Sequence, residues 1–415
     1  MRNVRPITEE EVKAFTTISA NAYPGMDLFD PENRKRFQER MINYQKNGIV
    51  RHFALFEDGE MRGVMRLYDF TMNMLSVKLP VGGVGGVAVD LLHKKESVAA
   101  DMMQFFLQHY KEKGACLAAL YPFRPDFYRR MGFGYGTKKN LYRVRPGHLP
   151  KGKTKANLSF LTNKDRAAIQ DCYDRFLKRN HGLMERSSFL WDELFTIPMM
   201  HTVGVKRRGT ISGYLIYQFQ RGTDDHFLAN DMLIRELVYD SAEDLLELMA
   251  FLQSQADQIE RVIFNTQDEY FHYLMQDPRN DSGNLLPQVY HESNTQGVGI
   301  MYRVIDARRL FRVLENHNFG NVSCRLKITL DDSFFPQNAG GFVVDFVNGR
   351  VTVTNGDAHE VAIKLDVAEF SSLVMGAINF KKLFEYGLAS ISDKAYIVLI
   401  DRLFAAPKPI CLTEF

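Results

Sequence analysis

The chain has 415 residues, of which 45% are apolar, 25% charged and 12% aromatic. The length predicts two or three folded domains, and the composition excludes disordered and collagen-like proteins. Its 52 Lys and Arg residues nearly balance its 50 Asp and Glu residues, and the net charge of +2 provides no overall basic field for nucleic acid or an anionic membrane. We therefore expect any anion site to be local and no nucleic-acid partner.

Membrane insertion and export are not expected from the sequence. No apolar run approaches the roughly 18 to 20 residues of a spanning helix, and the first residues carry charge without an apolar signal segment. The four cysteines are scattered without CxxC spacing, and the histidines form neither HExxH nor HxH. These features predict a cytoplasmic protein with reduced thiols and no metal.

The same order of elements occurs twice in the first 300 residues. Each half begins with a short strand and a capped helix, with Thr8 as the cap in the first half and Thr162 or Asn163 in the second. Each continues with a hairpin that turns at a glycine, Gly59 or Gly209, at an offset of 150 residues. We interpret residues 1–150 and 151–298 as two copies of one α/β fold.

The pattern changes again in the last part of the chain, which predicts an α+β domain at residues 299–415. A helix capped at Asp306 precedes strands around an Asn348-Gly349 hairpin turn. The predicted strands are 322–330, 341–347, 350–354 and 361–365, and the predicted helices are 366–375, 380–386 and 393–404. The last eleven residues contain two prolines and are expected to form an extended tail.

A candidate anion site follows the glycine-rich strand at residues 81–89. The next helix begins with basic and small residues, including Lys94 and Lys95, and free amides at a helix N-terminus attract anions. A dinucleotide site is disfavoured because the glycines at 82–86 do not match GxGxxG. The corresponding helix of the second copy begins with acidic residues after Asp240, so we expect no cofactor there.

Residues 87–99 resemble the acetyl-CoA strand and pyrophosphate loop of the GNAT N-acetyltransferases. That loop reads (Gln/Arg)-x-x-Gly-x-(Gly/Ala), and here Lys94 takes the first position, Ser97 replaces Gly and Ala99 matches. The resemblance implies acetyl-CoA as cofactor, bound by Val87, Ala88, Val89, Lys94, Lys95, Ser97, Val98 and Ala99. Ser97 is expected to weaken its affinity if the backbone must approach the phosphates closely, because Ser has a Cβ that Gly lacks.

The segment ALYPFRPDFYRRMGFGYG at residues 119–136 resembles the YPF…FYRxxGFG segment of the Eis (enhanced intracellular survival) acetyltransferases. Matching features at residues 301–306, 338–342 and 401–407 extend the resemblance over nearly the whole chain. It implies an α+β, or mixed α/β, fold. Two tandem GNAT domains would have mixed twisted sheets flanked by helices, and an α+β domain similar to sterol carrier protein 2 would follow at the C-terminus. The second GNAT-like domain would lack the cofactor loop.

The same resemblance assigns Tyr128 as general acid and the α-carboxylate of Phe415 as general base. It implies direct acetyl transfer to a small-molecule or peptide amine, such as an aminoglycoside, a polyamine-like molecule or a lysine side chain. A phenol with a pKa near ~10 can donate a proton to a departing thiolate. Arg129 and Arg130 are expected to lie on a solvent-exposed face and are left out of the site. We also expect the protein to form a homo-oligomer.

Several alternatives stay open from the sequence alone. Tyr128 also fits core packing, and the tail ending at Phe415 also fits packing for stability. The third domain either holds a lipid cavity or has a filled core, with Phe342, Val344, Phe346, Leu373, Val374 and Leu383 as its apolar residues. Because Lys94 and Ser97 depart from the loop pattern, the chain is either an acetyltransferase or a degenerate GNAT scaffold or lipid carrier.

Overall fold

The structure, a computed structural model, describes residues 2–48, 50–197, 199–222, 229–286 and 289–415. The first segment contains β1 (Arg2–Pro6), α1 (Val12–Ala22), α2 (Pro31–Asn47), β2 (Val50–Glu57), β3 (Glu60–Met74), β4 (Val77–Val89), α3 (Val98–Glu112), β5 (Leu117–Leu120), α4 (Pro125–Arg129) and β6 (Gly134–Tyr135). Helix α1 begins later than predicted. One of the two hydrogen bonds of the expected capping box is present, because the Thr8 amide donates to Glu11 Oε2 at 2.8 Å.

The middle segment contains β7 (Lys139–Val144), β8 (Leu158–Phe160), α5 (Arg166–Arg179), α6 (Ser188–Thr196), β9 (His201–Arg207), β10 (Thr210–Arg221), β11 (Asn230–Tyr239), α7 (Ala242–Gln253), β12 (Arg261–Thr266), β13 (Leu285–Leu286), β14 (Tyr290–His291) and β15 (Thr295–Gly297). Thr162 and Asp165 form a capping box just before α5, which confirms Thr162 as the cap.

The last segment contains β16 (Met301–Val304), α8 (Ala307–Val313), β17 (Cys324–Asp331), β18 (Gly340–Val347), β19 (Arg350–Thr354), β20 (Val361–Asp366), α9 (Val367–Val374), α10 (Phe380–Glu385), β21 (Ala389–Ile391) and α11 (Ile397–Leu403). These elements follow the predicted order, and β21 is an addition that the sequence did not indicate. Residues 405–415 follow as an extended tail, as predicted.

The chain divides into two compact units. The first consists of the segment ending at Gly136, Ile300–Pro409 and Thr413–Phe415, and the second consists of Thr137–Gly299 and Ile410–Leu412. The chain therefore leaves the first unit after β6 and returns to it at β16.

A seven-stranded sheet in the order β1-β2-β3-β4-β5-β16-β6 forms the centre of the first unit. Only β4 and β5 run parallel among the described pairs of this sheet. Met102, Met103 and Phe106 of α3 are fully buried in one core, and Phe15 and Met41 of α1 and α2 belong to another. Strand β16 was expected in the third domain, but its four buried residues pair with β5 instead.

The second unit has a sheet in the order β15-β7-β12-β11-β10-β9-β8. Strand β7, which the sequence placed in the first domain, pairs with β12 here. The two predicted hairpins are confirmed: Asp58 and Arg208 have φ of 53° and 51°, and the glycine after each also has positive φ. Gly63 pairs with Val89, and Gly213 pairs with Tyr239, so the 150-residue offset extends to a third strand.

The third predicted domain is built on a sheet in the order β19-β18-β17-β20-β21 within the first unit. The six apolar residues considered above as the lining of a lipid cavity or a core, Phe342 to Leu383, are all buried. A cavity beside Phe311, Phe319 and Val374 has a volume of about 10 Å³, which holds about one water molecule. This cavity is too small to hold a lipid.

Candidate active site

Strand β4 carries a bulge near its end. Arg66 lies opposite Gly85 and Val64 lies opposite Ala88, so two residues of β4 between these pairs face one residue of β3. Gly86, one of the two, has φ of +58°, a conformation that favours glycine. The bulge turns the end of β4 away from the regular ladder.

The same strand loses its other neighbour before it ends. Its pairing with β5 covers Val81 to Gly83, whereas β4 continues to Val89. Along this last stretch, the β4 edge that faces away from β3 has no strand partner within the described part of the chain. Its backbone amides, including those of Val87 and Val89, are available to a ligand.

An eight-residue loop, from Asp90 to Ser97, joins β4 to α3. Lys95 and Ser97 have φ of 70° and 63°, the left-handed region in which glycine is favoured. Ser97 makes no side-chain capping bond to described residues, which leaves the first amides of α3 free for an anion. Lys94, Lys95 and Ser97 are exposed, whereas Val98 is buried.

Hydrogen bonds and one ion pair hold the acidic groups near this loop. His93 contacts Arg62 at 2.8 Å through Nε2 and Glu96 at 2.9 Å through Nδ1. Arg2 donates to the Glu96 carbonyl and to the Asp101 carboxylate, both at 2.7 Å. The Asp101 carboxylate, in the first turn of α3, is thus neutralised by Arg2.

Tyr128 lies on α4 with 3% of its surface exposed. Its ring meets the rings of Phe123, Phe127 and Phe133 edge-on, with centroids 5.9, 5.2 and 6.0 Å away. Desolvation raises the pKa of the phenol well above its usual value, with a smaller contribution from Tyr23. Tyr128 therefore stays protonated at neutral pH.

Tyr23 is a site residue that the sequence interpretation missed. Its hydroxyl donates to the Val87 carbonyl at 2.6 Å, and its ring and that of Tyr128 both meet Phe123. In the sequence, Tyr23 has a counterpart at the 150-residue offset, Tyr173, but the Tyr173 hydroxyl donates to the Met184 carbonyl rather than to the strand that corresponds to β4.

Phe415 lies against the β3–β4 hairpin. Its ring centroid is 5.4 Å from that of Tyr68, 4.9 Å from Phe70 and 5.2 Å from Tyr121. Its carboxyl carbon and oxygen lie 3.2 and 3.4 Å from the point where a Cβ on Gly85 would stand. The absence of a side chain at Gly85 thus allows the carboxyl group to approach the strand.

Earlier tail residues make their contacts in the second unit. The Ile410 amide donates to the His181 carbonyl at 2.9 Å, and the Cys411 amide donates to Gln267 Oε1 at 2.6 Å. Cys411 is buried, as are the other three cysteines, which are all free thiols.

The prediction that Arg129 lies on a solvent-exposed face needs correction. Arg129 forms an ion pair with the buried carboxylate of Glu369 and lies over the Tyr135 ring at 5.2 Å, so it is a packed residue. Its neighbour Arg130 is 68% exposed, as a solvated face requires. Arg303 of β16 donates to the Met131 carbonyl at 2.7 Å and so fixes the chain just after α4.

The corresponding region of the second unit differs in one respect that matters for phosphate binding. There, β11 is joined to α7 by Asp240 and Ser241 alone. Asp244 in the first turn of α7 accepts from Ser212 at 2.7 Å and from Arg207 at 3.0 Å. A carboxylate thus occupies the helix start where the first unit has a loop with free amides.

The described ranges contain no cluster of three or more His, Cys, Asp and Glu side chains suited to a metal ion. Within those ranges, no helix combines the length and apolar character needed to cross a membrane.

Family models match three parts of the chain. Residues 3–136 and residues 182–304 match two models that are each described as an acetyltransferase (GNAT) domain. Residues 310–412 match a sterol carrier protein domain. No curated protein matches the sequence.

Solved structures share the fold over 100% of both chains. They include a GCN5-related N-acetyltransferase from Anabaena variabilis, with 17% identity and a TM-score of 0.83. A protein of unknown function from Enterococcus faecalis, described as a probable N-acyltransferase, has 19% identity and a TM-score of 0.80. Eis1 from Mycobacterium abscessus has 19% identity and a TM-score of 0.76.

These matches confirm the predicted mixed α/β architecture of tandem GNAT domains and a sterol-carrier-like domain, and with it the Eis-like arrangement. The two GNAT matches together span more than half of the chain. The chain belongs to the GNAT acetyltransferases, which use acetyl-CoA as the acetyl donor.

Proposed function

We propose that this acetyltransferase transfers the acetyl group to an amine within a ternary complex, with Tyr128 and the Phe415 carboxylate handling the protons. The observation that supports the proposal is that the Phe415 carboxyl group lies at the bulge of β4, and that Tyr128 is linked to the same strand through Phe123 and Tyr23. The Phe415 carboxyl group approaches Gly85, and Tyr128 shares the Phe123 contact with Tyr23, whose hydroxyl binds Val87.

The residues around the loop suit the donor substrate, acetyl-CoA. The free edge of β4 at Val87, Ala88 and Val89 offers amides to the acyl arm and its thioester carbonyl. The start of α3 offers free amides to the pyrophosphate at Val98 and Ala99. Lys94, Lys95 and Ser97 belong to the same loop, where the lysines add positive charge.

The proton transfers balance the reaction. The acceptor nitrogen bonds to the acetyl carbon while the carbon–sulfur bond breaks, and Tyr128 gives its phenolic proton to the departing sulfur. The proton lost by nitrogen goes to the Phe415 carboxylate or to water held by it. An α-carboxyl group titrates near ~3.3 to 3.7 and a lysine ammonium near ~10.4. The carboxylate therefore acts first as an electrostatic anchor and extracts a proton efficiently only when desolvated.

Aminoglycoside, polyamine-like and lysine amines are the acceptor classes that we propose. The protein would act in the cytoplasm as a homo-oligomer, with an oligomer mass that sedimentation can measure. The alternative is a lipid carrier, for which the cavity beside Phe311, Phe319 and Val374 is too small, since it holds about one water molecule.

The test measures thiol release from acetyl-CoA with a panel of amines, together with acetyl-CoA affinity by calorimetry. A Gly-Ser extension after Phe415 keeps the aromatic ring but removes the carboxylate from Gly85. We expect kcat to fall about 100-fold, within the range of acid–base contributions, while Kd for acetyl-CoA is unchanged. The same dipeptide at the other end of the chain is the control. Full activity of the extended protein would exclude the carboxylate as a catalytic group.

A further inference from the structure

A cation without a partner lies on the strand beside the proposed site. Arg66 of β3 is half-buried, and it has no hydrogen-bonded partner or counter-ion among the described residues. Other arginines of the same unit are paired: Arg62 with Glu60 and Arg303 with Asp332. Because partial burial of an unpaired charge is costly, Arg66 indicates that an anionic group is missing.

The position of Arg66 relates it directly to the Phe415 carboxylate. Arg66 and Gly85 are cross-strand partners, so their side-chain positions lie on the same face of the sheet. Arg66 Nε is 2.8 Å from the point where a Cβ on Gly86 would stand, and the Phe415 carboxyl carbon is 3.2 Å from the equivalent point on Gly85. A cation and an anion thus lie over adjacent residues of β4.

The titratable side chains of His52 and Tyr23, which lie near Arg66, carry no negative charge. His52, its cross-strand partner on β2, is buried and has a pKa lowered to about 3, chiefly by desolvation and also by Arg66. Burial raises the pKa of Tyr23, which keeps that phenol neutral. Neither His52 nor Tyr23 therefore supplies an anion, and the Phe415 carboxylate lies beside Arg66 without an ion pair to it among the described contacts.

We propose that the acceptor is an amine that also carries an anionic group, namely a free α-amino acid. Its carboxylate would bind the Arg66 guanidinium, and its amino group would lie beside the Phe415 carboxylate. This inference rests on the proposed function and narrows its acceptor classes, because a polyamine or aminoglycoside would bring like charge close to Arg66. Free lysine fits, whereas its decarboxylated analogue does not.

The test uses pairs of amines that differ by one carboxylate: lysine and cadaverine, phenylalanine and phenethylamine, tryptophan and tryptamine. We expect the amino acid of at least one pair to have a kcat/KM at least about tenfold higher, as loss of a charge-assisted contact predicts. Arg66→Gln should remove that preference while leaving Kd for acetyl-CoA unchanged. Arg51→Gln is the matched control, because Arg51 lies on the same sheet and pairs with Asp69 at 3.6 Å.

Calorimetric titration of the same amino acids, with coenzyme A present, gives a readout that does not need turnover. Equal or better use of every decarboxylated amine by the wild type would overturn the inference, as would an unchanged preference in Arg66→Gln. Amino-acid binding that is lost in Arg66→Gln, without thiol release, would support the inference and refute the proposed reaction. Neither binding nor thiol release with any amine would refute both.

Discussion

Replacing Gly85 by Ala tests whether the placement of the Phe415 carboxyl group controls turnover. The added methyl would lie 3.2 Å from the carboxyl carbon, 3.4 Å from its oxygen and 3.4 Å from the Tyr68 ring. Carbon contacts are normally about 3.5 to 4.0 Å. Gly85 does not have positive φ, so Ala adds no backbone strain. Because Gly85 is fixed within a strand, the carboxyl group is the part that must move.

The size of the effect follows from this geometry. A misplacement of about 1 Å costs on the order of 10²-fold in rate, so a shift of a fraction of that distance should lower kcat about 3- to 30-fold. The melting temperature should hold or rise, because Gly→Ala at an unstrained site stabilises a protein by about 0.4 to 1 kcal/mol. Thiol-release kinetics and thermal melts measure both quantities.

Gly356→Ala is the matched control, because Gly356 has no neighbour within 4 Å of its Cβ position and no positive φ. A Gly85→Ala protein with wild-type kcat would refute the idea that the carboxylate acts from this position. A large fall in melting temperature would instead indicate that Phe415 and Gly85 matter for packing.

Three further predictions concern other residues of the first unit. Ser97→Gly should relieve the backbone strain of a serine in the left-handed region and leave the affinity for acetyl-CoA unchanged or tighter, whereas Ser97→Glu should weaken that affinity sharply. Calorimetry that shows no effect of Ser97→Glu would place the pyrophosphate elsewhere. Tyr128→Phe keeps the ring packing, so kcat should fall about 10²- to 10⁴-fold with the melting temperature near wild type, and a loss of stability would favour core packing. Burial holds the pKa of His52 at about 3 in the folded protein, well below 6.5, so the unfolded chain binds a proton first as pH falls and the free energy of unfolding decreases by about 2 kcal/mol between pH 7 and pH 5. His52→Phe should abolish this decrease. Urea unfolding of the variant with an unchanged pH dependence would contradict the prediction.

Turn chemistry made much of the fold predictable. Asp58-Gly59, Arg208-Gly209 and Asn348-Gly349 all form hairpin turns with positive φ, which the Asp-Gly and Asn-Gly dipeptides favour by themselves and to which Gly209 contributes in the second turn. The partners of β7 and β16 were not predictable in the same way. A strand pattern shows that a segment is extended and buried, but it does not specify which edge the strand will join.

Within the site, too, residues that depend on their own segment were predictable, whereas residues that depend on distant parts of the chain were not. Left-handed backbone at Ser97 agrees with a loop pattern in which Gly is usual, and this could be anticipated from the residues. Arg66 gave no such signal, because a charged residue that alternates with apolar ones on a strand normally faces solvent. Its significance comes from Phe415, which is 349 positions away in the chain and reaches the neighbouring residue of β4.

The location of β16 determines how this protein can be dissected. A fragment that stops after β6 would retain β5 but lose the strand that pairs with Leu117–Leu120, and it would also lose the Arg303 contact with Met131. The exposed edge of β5 would be apolar and free to pair with other chains. Expression of residues 1–136 alone should therefore yield aggregated protein, and a usable fragment would need Met301–Val304 supplied through a short artificial linker.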